Sequence, residues 1–324
     1  MLASAWDFKM NFDFIDIAKR LDKDNVCHDF LEHEGSYSSG WEKFVLKSMN
    51  KMEVWIREST NEMKVKANLH YFLKGHNFHS SKIDLINGLQ YSSELLNVNL
   101  FNAEAKAFEF GTVININHNP QEFLSNHISI NKNPLQPFYK LKKLTGKGFE
   151  DSIKRIKLYD AGHRIKSTLP EAIRIDLGNS YGYDKAKHYI RIESHYKQPE
   201  AYFKKRNIYV DDILQDGFMK ICKEDLITTY KSIMKTGIIQ LPKKKADINS
   251  STLPLIVLKE LGILFDFNPE ELLKQKLKSI PEEILNRNDK KARSRNIKAN
   301  LKKLDGKGIS QYDIFEMLAA KEIT

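Results

Sequence analysis

Alternating strand patterns, one capped helix between them and a basic C-terminal third of helical periodicity predict an α+β fold. The expected architecture is a mostly antiparallel sheet with helices on one face over residues 1–215, followed by a smaller helical, basic domain over 216–324. The clearest strands are Ile153-Lys-Arg-Ile-Lys-Leu-Tyr-Asp160 and His188-Tyr-Ile-Arg-Ile-Glu-Ser-His-Tyr196. Both have the period of half-buried strands, and each carries a carboxylate. Side by side, two such strands could hold a metal ion.

With 324 residues, 41% of them hydrophobic, the chain can bury the cores of two domains. Its formal charge of +10 points to an anionic partner, of which nucleic acid is the commonest. Cys27 and Cys222 are the only cysteines. That excludes a disulfide framework or a thiolate zinc site and fits a reducing cytoplasm. Neither a signal peptide nor an apolar run near the ~20 residues of a membrane span is present, so a cytoplasmic protein with no membrane partner is expected.

In chain order, residues 1–34 carry eight acids against four bases. Phe12, Phe14, Ile15, Ile17, Ala18 and Leu21 suggest a strand or short helix leading into a loop. Gly35-Ser-Tyr-Ser-Ser-Gly40 marks a turn. Met52–Glu58 and Met63–Phe72 alternate around Ser59-Thr-Asn61, which predicts a hairpin. Ser80 or Ser81 then caps a helix whose buried face runs through Ile83, Leu85, Ile86, Leu89, Leu95 and Leu96. Ala105–Ile116 returns as a strand, Pro120–Ile130 allows a short helix, and 131–152 read as a long loop or insertion. Beyond Asp212–Lys235, which reads helical, Pro242–Thr252 reads as a basic linker. Pro269 and Pro281 mark the first turns of two more helices. Arg287–Lys303 holds eight Lys or Arg and one acid, Asp289, above an apolar stripe of Ile297, Leu301 and Leu304. A basic amphipathic helix of this kind lies along phosphates with little sequence preference. Ser310-Gln-Tyr-Asp313 resembles a capping box opening a last helix.

Three acids stand on predicted strands: Glu109, Asp160 and Glu193. Hard cations such as Mg²⁺ or Mn²⁺ prefer carboxylate oxygens, and two or three acids converging on one face suffice to bind them. His163 and His195 each lie near one of these acids and are further candidate ligands, whereas His76-x-x-His79 is a weak signal. Tyrosines crowd the same region, and a tyrosine can attack phosphorus when a metal polarises the phosphate.

A family likeness now emerges from the order of Gly35-Ser-Tyr-Ser-Ser39, Leu69-His-Tyr-Phe-Leu-Lys-Gly-His-Asn77, Phe108-Glu-Phe-Gly-Thr-Val-Ile-Asn115, Ile156-Lys-Leu-Tyr-Asp-Ala-Gly162 and Tyr189-Ile-Arg-Ile-Glu193. Over roughly residues 35–215 the chain resembles the rolling-circle replication initiators of phages and plasmids, those related to the filamentous-phage gene II protein and those of the Rep-trans kind. The resemblance implies a metal-dependent DNA nicking and joining enzyme in which a tyrosine attacks the origin strand and stays on its 5′ phosphate. It implies Glu109, Asp160 and Glu193 as the acids of the site, with Glu109 and Glu193 as metal ligands. Two departures stand out: Tyr159-Asp-Ala161-Gly replaces the family's Tyr-Asp-Lys-Gly, and no tyrosine lies between Gly146 and Leu158. The nucleophile stays open between Tyr139 and Tyr159.

The expected function is a replication initiator that binds origin DNA, single-stranded or duplex, and nicks it with Mg²⁺ or Mn²⁺. Lys154, Arg155, Lys157, Arg287, Lys290, Lys291, Arg293, Arg295 and Lys298 are the expected DNA contacts, and a second copy of the chain is a candidate partner. The alternatives are a non-catalytic repressor or origin-binding factor on the same scaffold, and an RNA-binding protein that stacks bases on its sheet.

Overall fold

The computed structural model describes residues 11–21, 26–46, 52–78, 81–116, 119–131, 133–235, 254–255, 258 and 269–303. The expected linker at 242–252, the capping box at 310–313 with its helix, and His79 lie outside the described residues. Among those described, 11–124 and 136–230 group into one compact unit and 125–135 with 231–303 into a second. Helix Asp216–Ser232 therefore lies mostly in the first unit, past the expected boundary at residue 215.

The strands of the chain are β1 (Asn11–Arg20), β2 (Leu31–Ser36), β3 (Glu42–Leu46), β4 (Glu53–Arg57), β5 (Glu62–Asn68), β6 (Glu104–Ile116), β7 (His127–Ile130), β8 (Asn133–Pro134), β9 (Gln136–Lys140), β10 (Lys143–Glu150), β11 (Lys154–Asp160), β12 (His188–Tyr196) and β13 (Ile233–Lys235). Ten of them form one antiparallel sheet in the first unit, ordered β2-β3-β4-β5-β1-β6-β12-β11-β10-β9. The α+β class and the antiparallel sheet are as the alternation predicts. The hairpin is β4–β5, turned at Asn61 in the left-handed region (φ 50°). Residues 131–152, expected as a loop, instead supply β8, β9 and β10. Their strand pattern is hidden because β9 is exposed along its whole length and β10 carries Gly146 and Gly148, over which the Phe138 ring lies.

Helices α1 (Leu69–Lys74) and α2 (Lys82–Leu96) follow β5. Ser81 caps α2, its hydroxyl accepting from Asp84 N while the Asp84 carboxylate accepts from Ser81 N. After α3 (Pro120–Ser125), α4 (Ala161–Thr168) and α5 (Glu171–Tyr181) fill the stretch between β11 and β12, and α6 (Pro199–Phe203), α7 (Val210–Ile213) and α8 (Asp216–Ser232) follow.

Register divides the sheet into two faces. Phe12, Ile15, Phe108, Phe110, Ile156, Leu158, Ile192 and Tyr196 are buried on the first. Phe203 of α6 and Phe218 of α8 set their rings against Phe108 there, and burial of these aromatics is the main cohesive term of this layer. On the second face α4 and α5 cover one end, through Val113, Ala161, Ile165, Leu177, Tyr189 and Phe78. The uncovered middle of that face carries polar residues.

His70 of α1 is buried, and its Nε2–H donates to the Phe12 carbonyl at 2.9 Å while Nδ1 has no partner. Burial lowers its pKa from the usual 6.5 to about 4. The neutral ring is therefore the folded form, and stability present above pH 6.5 is lost as pH falls toward 4. We expect unfolding free energy to drop by about 3 kcal/mol over that window. His70→Gln, which keeps a donor and cannot charge, should flatten it in denaturant titrations; an unchanged slope would assign the acid sensitivity elsewhere.

Among the described residues the second unit holds a small sheet ordered β13-β7-β8 and the helices α9 (Pro269–Ser279) and α10 (Arg287–Lys303). Pro269 opens α9 as expected. Pro281 begins only a turn, and α10 starts six residues later, where Asn286 Oδ1 accepts from Asn288 N and Asp289 N. The domain expected to be wholly helical thus contains a sheet, because β7 and β8 reach it from earlier in the chain. No helix among the described residues is long and apolar enough to cross a membrane.

Candidate active site

Three strands meet at the middle of the second face. β6 presents Glu109 and β12 presents Glu193, two registers apart on neighbouring strands. β1 adds Asp13 through a bulge between Phe12 and Ile15, which turns an extra residue toward this face. One carboxylate oxygen from each of the three acids lies within 4.8 Å of the other two. Gly111 faces Glu193 across the β6–β12 ladder, and a Cβ there would meet the Ile192 carbonyl at 2.5 Å and Glu193 Cβ at 2.7 Å. Gly111→Ala is therefore expected to spread the two strands, at about 1–3 kcal/mol, and to move Glu193; wild-type stability in urea would show that the strands tolerate the methyl.

Permanent cations share the cluster. Arg191, opposite Val113, sends Nε to Glu193 and Nη2 to Asp13, each at 2.7 Å, and Nη1 to the Asn77 carbonyl at 2.8 Å. The Lys157 ammonium bridges Glu109 at 2.7 Å and Glu193 at 2.6 Å. Asn68 and Asn77 both donate to Asp13, and His195 Nδ1 lies 2.8 Å from Glu109. Burial opposes ionisation of Glu109, yet the His195 hydrogen bond and the Lys157 charge hold it at about 2. For Asp13 burial wins over the Arg191 charge, and the neighbouring Glu193 and Glu109 push the same way, so its pKa is raised. Lys157 also resists burial, because the two glutamates keep its pKa above the ordinary lysine value. Three carboxyl groups thus face two fixed cations.

Tyr159 stands on the same face, at the end of β11. Its hydroxyl donates to Glu193 Oε2 at 3.2 Å and accepts from Arg164 Nη1 of α4 at 3.1 Å. Burial, aided by the Glu193 charge, raises its pKa well above the usual tyrosine value.

No protein-family model matches the chain, and no curated protein matches it.

The expected site residues separate into groups. Glu109, Glu193 and Tyr159 come together with Asp13. Asp160 does not join them: it caps α4, its Oδ1 accepting from His163 N at 2.8 Å, and it lies on the other face of the ladder. Tyr139 is 65% exposed on edge strand β9, three strands from β12 and so about 14 Å away at the usual strand spacing. Lys154, expected on DNA, is buried on the first face instead. It pairs there with Asp225, donates to Thr229 at 2.7 Å and joins Tyr196 and Tyr202, which also bond Asp225. Lys157 belongs to the acid cluster, and Arg155 pairs with Glu150 at 3.0 Å. Of the α10 cations, Arg287, Lys291, Arg293, Arg295 and Lys298 are exposed, while Lys290 is half-buried and donates to the Ile280 carbonyl. Asp13 and Arg191 are the residues that strand reading missed. Asp13 sits in Phe12-Asp-Phe-Ile-Asp-Ile17; the bulge brings both acids to this face, where Asp13 joins the glutamates while Asp16, opposite Ala107, pairs with Lys66.

The donor set suits a hard divalent cation: all three candidate ligands are carboxylates, close enough for one ion to reach. The ammonium of Lys157 already bridges two of them, so an ion binding there shares or displaces that contact.

Proposed function

We propose that the chain is a metal-dependent DNA strand transferase, which nicks and rejoins DNA through Tyr159 and so serves as a replication initiator. The observation that carries this reading is the Tyr159 hydroxyl on Glu193, one of three converging carboxylates. Asp13, Glu109 and Glu193 would hold Mg²⁺ or Mn²⁺, which when bound supplies Lewis-acid polarisation of the phosphate. Glu193 Oε2 is placed to take the phenolic proton, and the Arg164 guanidinium stabilises the phenolate oxygen. The phenolate oxygen then bonds to phosphorus and the 3′ oxygen of the preceding nucleotide leaves with the bonding pair and takes a proton from water, so the 5′ phosphate becomes a tyrosyl ester. Attack by that 3′ hydroxyl reverses the step and rejoins the strand. The exposed cations of α10 supply non-specific phosphate contacts.

A second reading, a non-catalytic DNA-binding protein, is favoured by the cover that Lys157 and Arg191 already give the acids. Incubation with single-stranded DNA and supercoiled plasmid, with Mn²⁺ or with chelator, followed by denaturing gel and peptide mapping, separates the two. A metal-dependent covalent adduct mapped to Tyr159, lost in Tyr159→Phe and kept in Tyr139→Phe, is the expected result. An adduct surviving in Tyr159→Phe would remove that residue; DNA binding with no adduct at all would leave the non-catalytic reading.

A further inference from the structure

On the other flank of α4 lies a cavity of about 510 Å³, lined by Lys166, Glu171, Arg174, Ile175, Tyr183 and Lys185. Three segments build it: α4 gives Lys166, one stripe of α5 gives Glu171, Arg174 and Ile175, and the turn before β12 gives Tyr183 and Lys185. Three cations face one acid. The contacts of two of these cations are to backbone: Lys166 Nζ donates to the Lys185 carbonyl at 2.9 Å and Arg174 Nη1 to the Lys166 carbonyl at 3.3 Å. Among the described residues none of the three forms an ion pair, so each side chain can turn to a ligand. The walls also offer apolar and aromatic surface. Ile175 is 57% exposed, and the Tyr183 ring is fixed against Tyr189 and Phe78, each at 5.4 Å between centroids. The Tyr183 hydroxyl is buried without a hydrogen-bond partner, a cost that a polar group entering beside it would remove.

Fixed cations beside a rigid ring and an exposed aliphatic wall, in a cleft of ligand size, match a phosphate joined to a flat heterocycle. The geometry points to a binding site for a single nucleotide unit, free or within a DNA strand, its phosphate on Lys166, Arg174 and Lys185 and its base against Tyr183 and Ile175. The volume admits one unit and excludes a duplex. Arg164, which meets Tyr159, and Lys166 are two residues apart on α4, about 200° around a helix some 10 Å wide. A strand crossing α4 would therefore reach both. The choice of DNA rests on the function proposed above, whereas binding in the cavity requires no cleavage.

The test uses the full chain, a fluorescently labelled short single strand read by anisotropy, and deoxyadenosine monophosphate titrated directly by calorimetry. Two variants are compared with wild type: Arg174→Gln combined with Lys185→Gln, and Ile175→Glu, which adds a carboxylate at an exposed position without disturbing the core. Strand affinity should fall by at least about 5-fold in both. In the first, the slope of log affinity against log salt should shrink by about 0.7 for each phosphate that the protein no longer neutralises. Monophosphate binding that disappears in the same variants assigns the cavity to free nucleotides; losses confined to the strand assign it to a unit within DNA. Unchanged affinity of both probes in both variants overturns the proposal. Absence of any covalent adduct with the wild-type chain, with these affinities and their losses in the two variants as expected, would count against strand transfer alone.

Discussion

Replacing Arg191 with Met is expected to cost about 3–5 kcal/mol of stability, the largest loss from any single substitution considered for this protein. Its guanidinium is nearly inaccessible and meets two carboxylates and a carbonyl in three directions. Met matches the volume and leaves the buried Asp13 without its cation and Glu193 with Lys157 alone. Lys is no substitute, because one ammonium cannot reproduce a planar fork that reaches three acceptors. Urea denaturation should show the loss, and melting should shift down by roughly 6–20 °C. Adding Asp13→Asn to Arg191→Met should recover part of it, since the uncompensated charge is the damage. A loss below about 1 kcal/mol would mean that water reaches this cluster and that the pairing is a surface one.

Glu109→Gln is expected to reduce metal-dependent cleavage by at least about 100-fold while leaving DNA affinity unchanged. Loss of an outer-shell partner alone costs 10–100-fold in metal sites, and here a candidate ligand itself loses its charge. Held at about 2, Glu109 stays ionised across the working range of pH, so a cation always finds it charged. Its depressed pKa also adds stability that is present above the ordinary carboxyl value of 4.5 and lost as pH falls toward 2, a window below that of His70. The Gln variant should therefore unfold with less acid dependence below pH 4.5. Activity titrated against Mn²⁺ is the deciding measurement: a curve that coincides with wild type would take Glu109 out of the site.

Much of this arrangement was legible in the strands themselves. Alternation located β4, β5, β6, β11 and β12, and the acids at 109 and 193 fell on strands that do pair. Period alone cannot show where a strand stumbles: the irregularity between Phe12 and Ile15 puts Asp13 and Asp16 on one face, and only Asp13 stands close to the two glutamates. Asp160 looked equivalent to the other acids because it ends a strand; the helix that begins at the next residue takes its carboxylate as a cap. Lys154 and Lys157 read alike as strand lysines that contact DNA. Opposite parity sends one to Asp225 in the core and the other between two glutamates. The helices α4 and α5 escaped notice because their short apolar spacing is broken by Gly162, Pro170 and Gly178. The cations of α10, by contrast, were plain from composition, since an exposed helix needs no packing to explain it.

The small sheet of the second unit joins Ile130 to Ile233, two residues separated by nearly the whole second half of the large sheet. At ordinary elongation rates β7 leaves the ribosome roughly 5–20 s before β13 can be synthesised. During that interval its hydrogen-bonding edge has no strand to meet except β8, whose Pro134 lacks an amide hydrogen to offer a further neighbour. Nascent chains stalled between residues 135 and 230 thus carry an open edge, and a gene shortened to end at Tyr230 makes that state permanent. Dissection of this protein by truncation yields a first unit with an aggregation-prone strand attached, so the two units are best separated by substitution and not by cutting.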